Sequence, residues 1–129
     1  MNLADPIGDL HPRVGDAPFA GLVAAFYRGV RTDDLLGPMY PPDDWDNAEA
    51  RLRGFLVQRC GGPDDYSRQR GHPRLRMRHL PFAIDAAARD RWLELMDAAL
   101  AESAFSEADR NDLRRFFVMV ATHMINRPG

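Results

Sequence analysis

The 129-residue chain predicts an all-α fold, and three observations carry that expectation. Apolar residues recur every three or four positions along several stretches, the mark of one buried helical face. No convincing alternation of apolar and polar residues runs over the length of a strand. The prolines at Pro41-Pro42, Pro63, Pro73 and Pro81 fall between the periodic stretches, where helices must stop.

Residues 1–17 carry Pro6, Gly8, Pro12 and Gly15, with Pro18 just beyond, and read as an irregular leader. From there Phe19, Leu22, Val23, Phe26 and Val30 share one face of a helix ending near Arg31. Thr32-Asp33-Asp34 is a capping turn for a short helical segment that must stop before Pro41-Pro42. Asp43 to Asp46 can cap the next helix, with Ala48, Leu52, Phe55 and Leu56 on its inner face. Gly61-Gly62-Pro63 ends it, because glycine permits a left-handed stop and proline forbids continuation. Residues 61–81 are the least regular stretch. Asp85 then caps a helix whose stripe is Trp92, Leu95, Met96, Ala99 and Leu100. Ser106-Glu107-Ala108-Asp109 resembles a capping box, with Asp where Glu or Gln is preferred, and opens a last helix carrying Leu113, Phe116, Phe117, Val120 and Met124. Four helices around a loop-rich middle would leave a hole in the core, and a flat apolar cofactor is one way to fill it.

Composition narrows the classes further. With 45% hydrophobic and 28% charged residues the chain is ordinary globular material, and its length suits a single domain over 1–129. One cysteine, Cys60, excludes an internal disulfide, an iron–sulfur cluster and a zinc site of several thiolates from this chain alone. Met1 to Pro6 have neither a basic region nor an apolar run, so no secretory signal is expected there. With no run of apolar residues long enough to span a bilayer, no membrane association and a cytoplasmic location are expected. A net charge of -2 gives no reason to expect nucleic acid as a partner. The 17 basic residues are all arginine, and Arg68, Arg70, Arg74, Arg76 and Arg78 crowd one stretch.

Among the histidines, His11 reads as a surface residue of the leader, and His72, before Pro73, as a loop residue. His123 follows the apolar face of the last helix and reads as a satisfied core histidine. His79 ends the arginine run and precedes Leu80-Pro81-Phe82, where a short helical turn would finish. Taken alone it is more often a structural residue than a ligand. The arginine run has three readings: a solvated or ion-paired face, an arm for phosphates, or an anchor for a small dianion such as two carboxylates. Tyr27, Tyr40 and Trp92 each have an apolar ring and a polar tip, and singly read as core or rim aromatics. Cys60 has no argued activator and reads as structural.

Taken together, these pieces stop being independent. The block from Gly61-Gly62-Pro63 through Tyr66, Arg76 and His79 to Phe82 closely resembles the signature of the group II truncated haemoglobins. Phe26-Tyr27, Met39-Tyr40-Pro41, the run from Ala48 to Leu56, and Asp90-Arg91-Trp92-Leu93 match other blocks of that family in the same order. The resemblance implies a two-over-two helical sandwich holding one non-covalent haem b. It implies His79 as the proximal iron ligand, and Tyr27, Tyr40 and Trp92 as distal donors, with Ala48 and Leu52 completing the distal pocket. Arg51, Phe55, Tyr66, Arg76, Met77 and Met96 are the implied haem contacts. The expected small ligands are dioxygen, carbon monoxide, nitric oxide or peroxide, bound by a monomer or homodimer. The implied function is reversible dioxygen binding or transport, with redox chemistry such as nitric oxide dioxygenation or peroxide reduction fed by an external electron donor. The contrasting expectation is a cofactor-free helical module binding through Arg68–Arg78. Two departures from the family pattern stand out: Gly15-Asp16 where a Gly-Gly pair is common, and Arg59-Cys60 where aromatic residues are frequent.

Overall fold

The computed structural model describes residues 5–79 and 82–128, with the side chain of Arg76 outside that description. The described residues are helical and contain no strand. In chain order the helices are α1 (Leu10–Val14), α2 (Ala17–Arg31), α3 (Trp45–Arg59), α4 (Asp65–Arg70), α5 (Leu75–His79), α6 (Ala86–Ala101) and α7 (Glu107–His123), with a 3-10 turn at Gly37–Met39 between α2 and α3. No helix among the described residues is long and apolar enough to cross a membrane.

Helix α2 follows the periodic stripe closely. Phe19, Leu22, Val23, Phe26 and Val30 are all buried, and Tyr27 joins them at the edge of that face. It packs against α3 on one side and α6 on the other, and α6 packs against α7. Two helix pairs, α2 with α3 and α6 with α7, thus meet through the α2–α6 contact. Between them lies a core of Phe26, Leu56, Met96, Leu100, Leu113 and Phe117. Burying aromatic and aliphatic side chains of this size contributes roughly 1.5–3 kcal/mol each and supplies the drive for assembly.

The caps explain where helices begin. Asp85 accepts the Ala88 N–H at 2.9 Å, and Ser106 accepts the Asp109 N–H at 3.1 Å. The reciprocal half of the box at α7 is not made. The carboxylate of Asp109 takes the Arg13 guanidinium at 3.2 Å instead, tying α1 to α7. Asp44 stands at the N-cap of α3, but its side chain receives Asn47 at 2.8 Å and Arg51 at 3.0 Å rather than a backbone N–H.

Three sequence expectations need correction. The leader contains α1, whose Leu10 is fully buried, as is Ile7 just before it. Pro12 lies in the first turn of α1 and Pro18 in that of α2, where the missing N–H has no intrahelical partner to lose, so neither breaks its helix. His11 is therefore not a surface residue: its side chain is 17% exposed and its ring lies 5.8 Å from that of Phe19, with Nε2 2.5 Å from an Asp16 carboxylate oxygen. His123 is exposed rather than part of the core. The buried row of α7 runs through Leu113, Phe117, Ala121 and Met124 and leaves residue 123 on the flank.

Gly61 supplies the stop for α3 at φ +91°, and its missing side chain has a second use. A Cβ there would stand 2.3 Å from the carbonyl oxygen of Gly8, so the leader could not lie against the end of α3 with any other residue. The His11 N–H donates to the Cys60 carbonyl at 2.9 Å in the same contact. Cys60 itself is fully buried, and burial pushes its thiol up to about 12, which leaves it a packing residue.

The turn after α2 is held by one carboxylate. Asp33 accepts the N–H groups of Leu35 at 3.0 Å and Leu36 at 2.8 Å, and receives Arg91 of α6 at 2.6 Å. Burial works against its charge, but those N–H groups and the guanidinium outweigh burial and hold the carboxyl below the ordinary value of 3.8. Its stabilisation is therefore complete above 3.8 and disappears as acidification carries pH through the lower folded value. Replacing Asp33 by alanine should cost about 1 kcal/mol at neutral pH, the usual cost of losing such a cap, and much less in strong acid. Urea denaturation at both pH values checks this, and equal stability of the two proteins at neutral pH would contradict it.

Candidate functional site

The helices do not close over the middle of the molecule. A cavity of about 400 Å³ remains between the α2–α3 layer, α6, α7 and the segment of α4 and α5. Its walls are chiefly apolar: Leu36, Met39, Ala48, Leu52, Phe55 and Leu56 on one side, and Ala88, Phe116, Phe117, Val120, Ala121 and Met124 on another. Polar groups enter at a few points only: Tyr27, Tyr40, Tyr66, His79, Trp92 and the arginines Arg51, Arg70, Arg78 and Arg89.

His79 is the last residue of α5 and borders this cavity. Its Nδ1 lies 2.6 Å from the Leu75 carbonyl oxygen, one helical turn back. A carbonyl can only accept, so the proton of this bond sits on Nδ1. The neutral imidazole then keeps its free lone pair on Nε2, the arrangement that suits a metal-ligating histidine. The ring is further supported by Phe82, whose centroid is 6.2 Å away.

The short helix carrying His79 is itself pinned. The Asn126 side chain donates to the His79 carbonyl at 3.2 Å and accepts the Ile84 N–H at 3.0 Å, while the Asn126 N–H donates to the Ile84 carbonyl at 2.8 Å. The chain after α7 thus clamps both sides of the His79 loop. Arg78 adds bonds from its guanidinium to the carbonyls of Pro73, at 2.9 Å, and Arg70. These contacts restrain a segment that would otherwise be two single turns of helix in a glycine- and proline-rich loop.

Tyr27, Tyr40 and Trp92 come from three different elements and meet in one aromatic wall. Tyr27 and Tyr40 have centroids 5.7 Å apart, edge to face. Phe26 bridges Tyr27 at 5.1 Å to Trp92 at 5.0 Å, and Trp92 continues to Phe117 at 5.5 Å. Burial pushes the Tyr27 hydroxyl far above the ordinary phenol range, and the neighbouring Tyr40 pushes it the same way. Burial also raises Tyr40, opposed by the neighbouring Tyr27 and by the Arg51 charge. Burial thus favours the neutral, protonated form of both hydroxyls, the form that can donate.

Nine of the residues singled out by sequence border the cavity: His79, Tyr27, Tyr40, Trp92, Ala48, Leu52, Arg51, Phe55 and Tyr66. Met77 does not; it is 52% exposed. Met96 is fully buried in the core between helices and does not reach the cavity. Arg76 lies outside the described side chains. Arg51 borders the cavity with its guanidinium held by Asp44. Sequence reasoning gave Arg70 and Arg78 only as members of an arginine run with three readings, and missed Arg89, Ile84, Asn126 and the cavity-facing role of Phe116 and Val120. The last two follow the same helical period as the core, so periodicity cannot tell a side chain facing protein from one facing a cavity.

A sandwich of short helices enclosing an apolar slot, with one lone-pair histidine and several buried O–H and N–H donors, defines a class built to hold a flat metal cofactor. The bacterial-like globin family matches residues 9–126. The group 2 truncated hemoglobin YjbI of Bacillus subtilis is 36% identical over 114 residues, covering 88% of this chain and 86% of that protein. A thermostable hemoglobin from the actinobacterium Thermobifida fusca is 47% identical with a TM-score of 0.86, covering 90% of this chain and 94% of that one. The group II truncated hemoglobin of Bacillus anthracis is 31% identical with a TM-score of 0.88, covering 96% and 95% of the two chains. The chain belongs to the bacterial-like globin family, and the proteins it resembles within it are group II truncated haemoglobins. Membership makes haem the cofactor implied for the cavity, and the lone-pair imidazole, apolar walls and arginine rim fit that group.

Replacing Asn126 by alanine removes two side-chain bonds to the His79 loop. Amide exchange at residues 75–79 and 82–84 should then accelerate about fivefold, as expected for roughly 1 kcal/mol of lost local stability, with α2 unchanged. Equal exchange in the two proteins would contradict the clamp.

Proposed function

We propose that this chain, acting as one globin domain, is a haem b protein that reversibly binds dioxygen and other diatomic ligands, and that it carries out redox chemistry on the bound ligand. The observation that carries the proposal is the His79 imidazole, fixed by the Leu75 carbonyl with Nε2 free at the wall of a 400 Å³ apolar cavity. Haem b would supply an iron that can bind a histidine imidazole and a small diatomic ligand. His79 is the residue proposed to hold it, through Nε2.

The other residues set what a ligand meets. Tyr27, Tyr40 and Trp92 are proposed as hydrogen-bond donors toward dioxygen in the pocket. Trp92 has no hydrogen-bond acceptor among the described residues, so its indole N–H is available for such a bond. In a dry cavity each donor strengthens retention by about 1 kcal/mol or more, because no water competes. Ala48 and Leu52 leave room and exclude water. Arg51, Arg70, Arg78 and Arg89 line the cavity, and the Arg70 guanidinium, which has no ion pair among the described residues, suits a carboxylate of a porphyrin.

A pocket of three donors favours tight retention over delivery, which supports nitric oxide dioxygenation or peroxide reduction as the reaction class. Sustained turnover would take electrons from an outside protein. Cys60, buried and unpaired, fits a reducing compartment, and the cytoplasm is the proposed location.

Titration of the purified chain with hemin tests the proposal. One equivalent should saturate it with a strong Soret band, and His79→Ala should lose haem or alter its spectrum. A chain that gives no band, or a variant with an unchanged spectrum, would refute the assignment. Trp92→Phe should release dioxygen roughly fivefold faster in stopped-flow, the equivalent of one lost hydrogen bond. An unchanged off-rate would remove Trp92 from the donors.

A further inference from the structure

We propose that the arginine-rich surface of residues 68–79, with Phe82, docks an acidic electron-donor protein; this rests on the haem reading above. Charge is the first support. Residues 64–82 contain five arginines and two aspartates, whereas the remainder has twelve arginines and seventeen acids. A negative molecule thus carries one positive segment, and such an asymmetry steers a partner of opposite sign to one place.

The second support is what stands among those charges. Met77 is 52% exposed and Phe82 40%, two of the three large exposed apolar side chains among the described residues. Arginine, methionine and aromatic residues are the types enriched where proteins meet. A surface that only tracks phosphates is built chiefly of cations, whereas this one also exposes apolar side chains. Apolar groups ringed by guanidinium groups instead suit a partner with an apolar centre and an acidic rim.

Position is the third support. Arg70, Arg78, His79 and Phe82 border the cavity, while Arg68 and Arg74 lie exposed beyond it. The patch therefore surrounds the part of the cavity wall nearest the proposed metal ligand, where a donor must come for electrons to cross a short distance. The arginines are more numerous than cofactor carboxylates need. Arg78 is committed to two backbone carbonyls, Arg68 pairs with Asp64 at 2.8 Å, Arg70 lies over the Tyr66 ring at 5.8 Å, and the Arg74 guanidinium meets no acid among the described residues. In the exchange, one electron leaves the anionic hydroquinone of a donor flavin, which becomes the neutral semiquinone. Ferric iron becomes ferrous, and no bond or proton moves.

An acidic flavodoxin serves as the probe. Titrated in its oxidised form into the nitrogen-15-labelled, carbon-monoxide-loaded holoprotein, it should shift amide signals within residues 68–79 and at Phe82, and high salt should abolish the shifts. The double variant Arg68→Glu, Arg74→Glu, neither residue bordering the cavity, should weaken binding about tenfold or more. It should slow reduction by flavodoxin hydroquinone by a similar factor and leave reduction by uncharged photoreduced lumiflavin unchanged. Met77→Glu should weaken binding without touching the arginines. Shifts elsewhere, salt-independent binding, or equal rates in the double variant would overturn the proposal. So would tighter binding of phosphatidylglycerol vesicles or a short oligonucleotide at the same residues, which would make the surface one for membranes or nucleic acid. A protein with no Soret band would refute the haem reading, whereas a red protein with a blank titration would refute docking alone.

Discussion

The hydrogen bond between His79 Nδ1 and the Leu75 carbonyl is the constraint from which the site follows. It lies inside one helical turn and depends on nothing but α5 being helical. Yet it fixes the tautomer, aims the ring and leaves a lone pair on the nitrogen that has no hydrogen-bond partner among the described residues. A histidine free to choose its tautomer would present that lone pair only part of the time. The Asn126 clamp and the Arg78 bonds then hold α5 in place against its own weak local preference. A helix of five residues is marginal alone, so its geometry comes from tertiary contacts.

The second constraint is the cavity itself. Close packing normally leaves few voids larger than a water molecule, and one of 400 Å³ in a chain of this size forfeits contacts along its whole lining. A ligand that fills it restores those contacts and stabilises the folded state by mass action. The aromatic wall from Tyr40 through Tyr27, Phe26 and Trp92 to Phe117 lets the cavity persist, because each ring is braced by the next. Fold stability and cofactor binding are in this sense one problem.

Much of this was legible in the residues. The stripes of α2, α6 and α7 and the caps at Asp85 and Ser106 stand almost where periodicity and side-chain chemistry put them, because long amphipathic helices carry their own signal. The all-α class came from periodicity and the lack of strand alternation, whereas the two-over-two architecture and the ring of residues around the cavity came from the resemblance of the 61–82 block and its companions. The histidine alone could not have given them. What stayed hidden was tertiary. Nothing local shows that Pro12 sits harmlessly in a first turn, that Gly61 makes room for the Gly8 carbonyl, or that Asn126 reaches back across the sequence to His79. Met77 and Met96 illustrate the same limit. Both are apolar and close in sequence to residues of the site, but one faces outward and the other faces the core.

The most direct measurement of the central claim is the resonance Raman spectrum of the haem-loaded, ferrous, ligand-free protein. An iron–imidazole stretching band should appear, move when histidine nitrogens are isotopically labelled, and vanish on replacement of His79 by alanine. A spectrum without that band, or one in which it survives the replacement, would contradict the account.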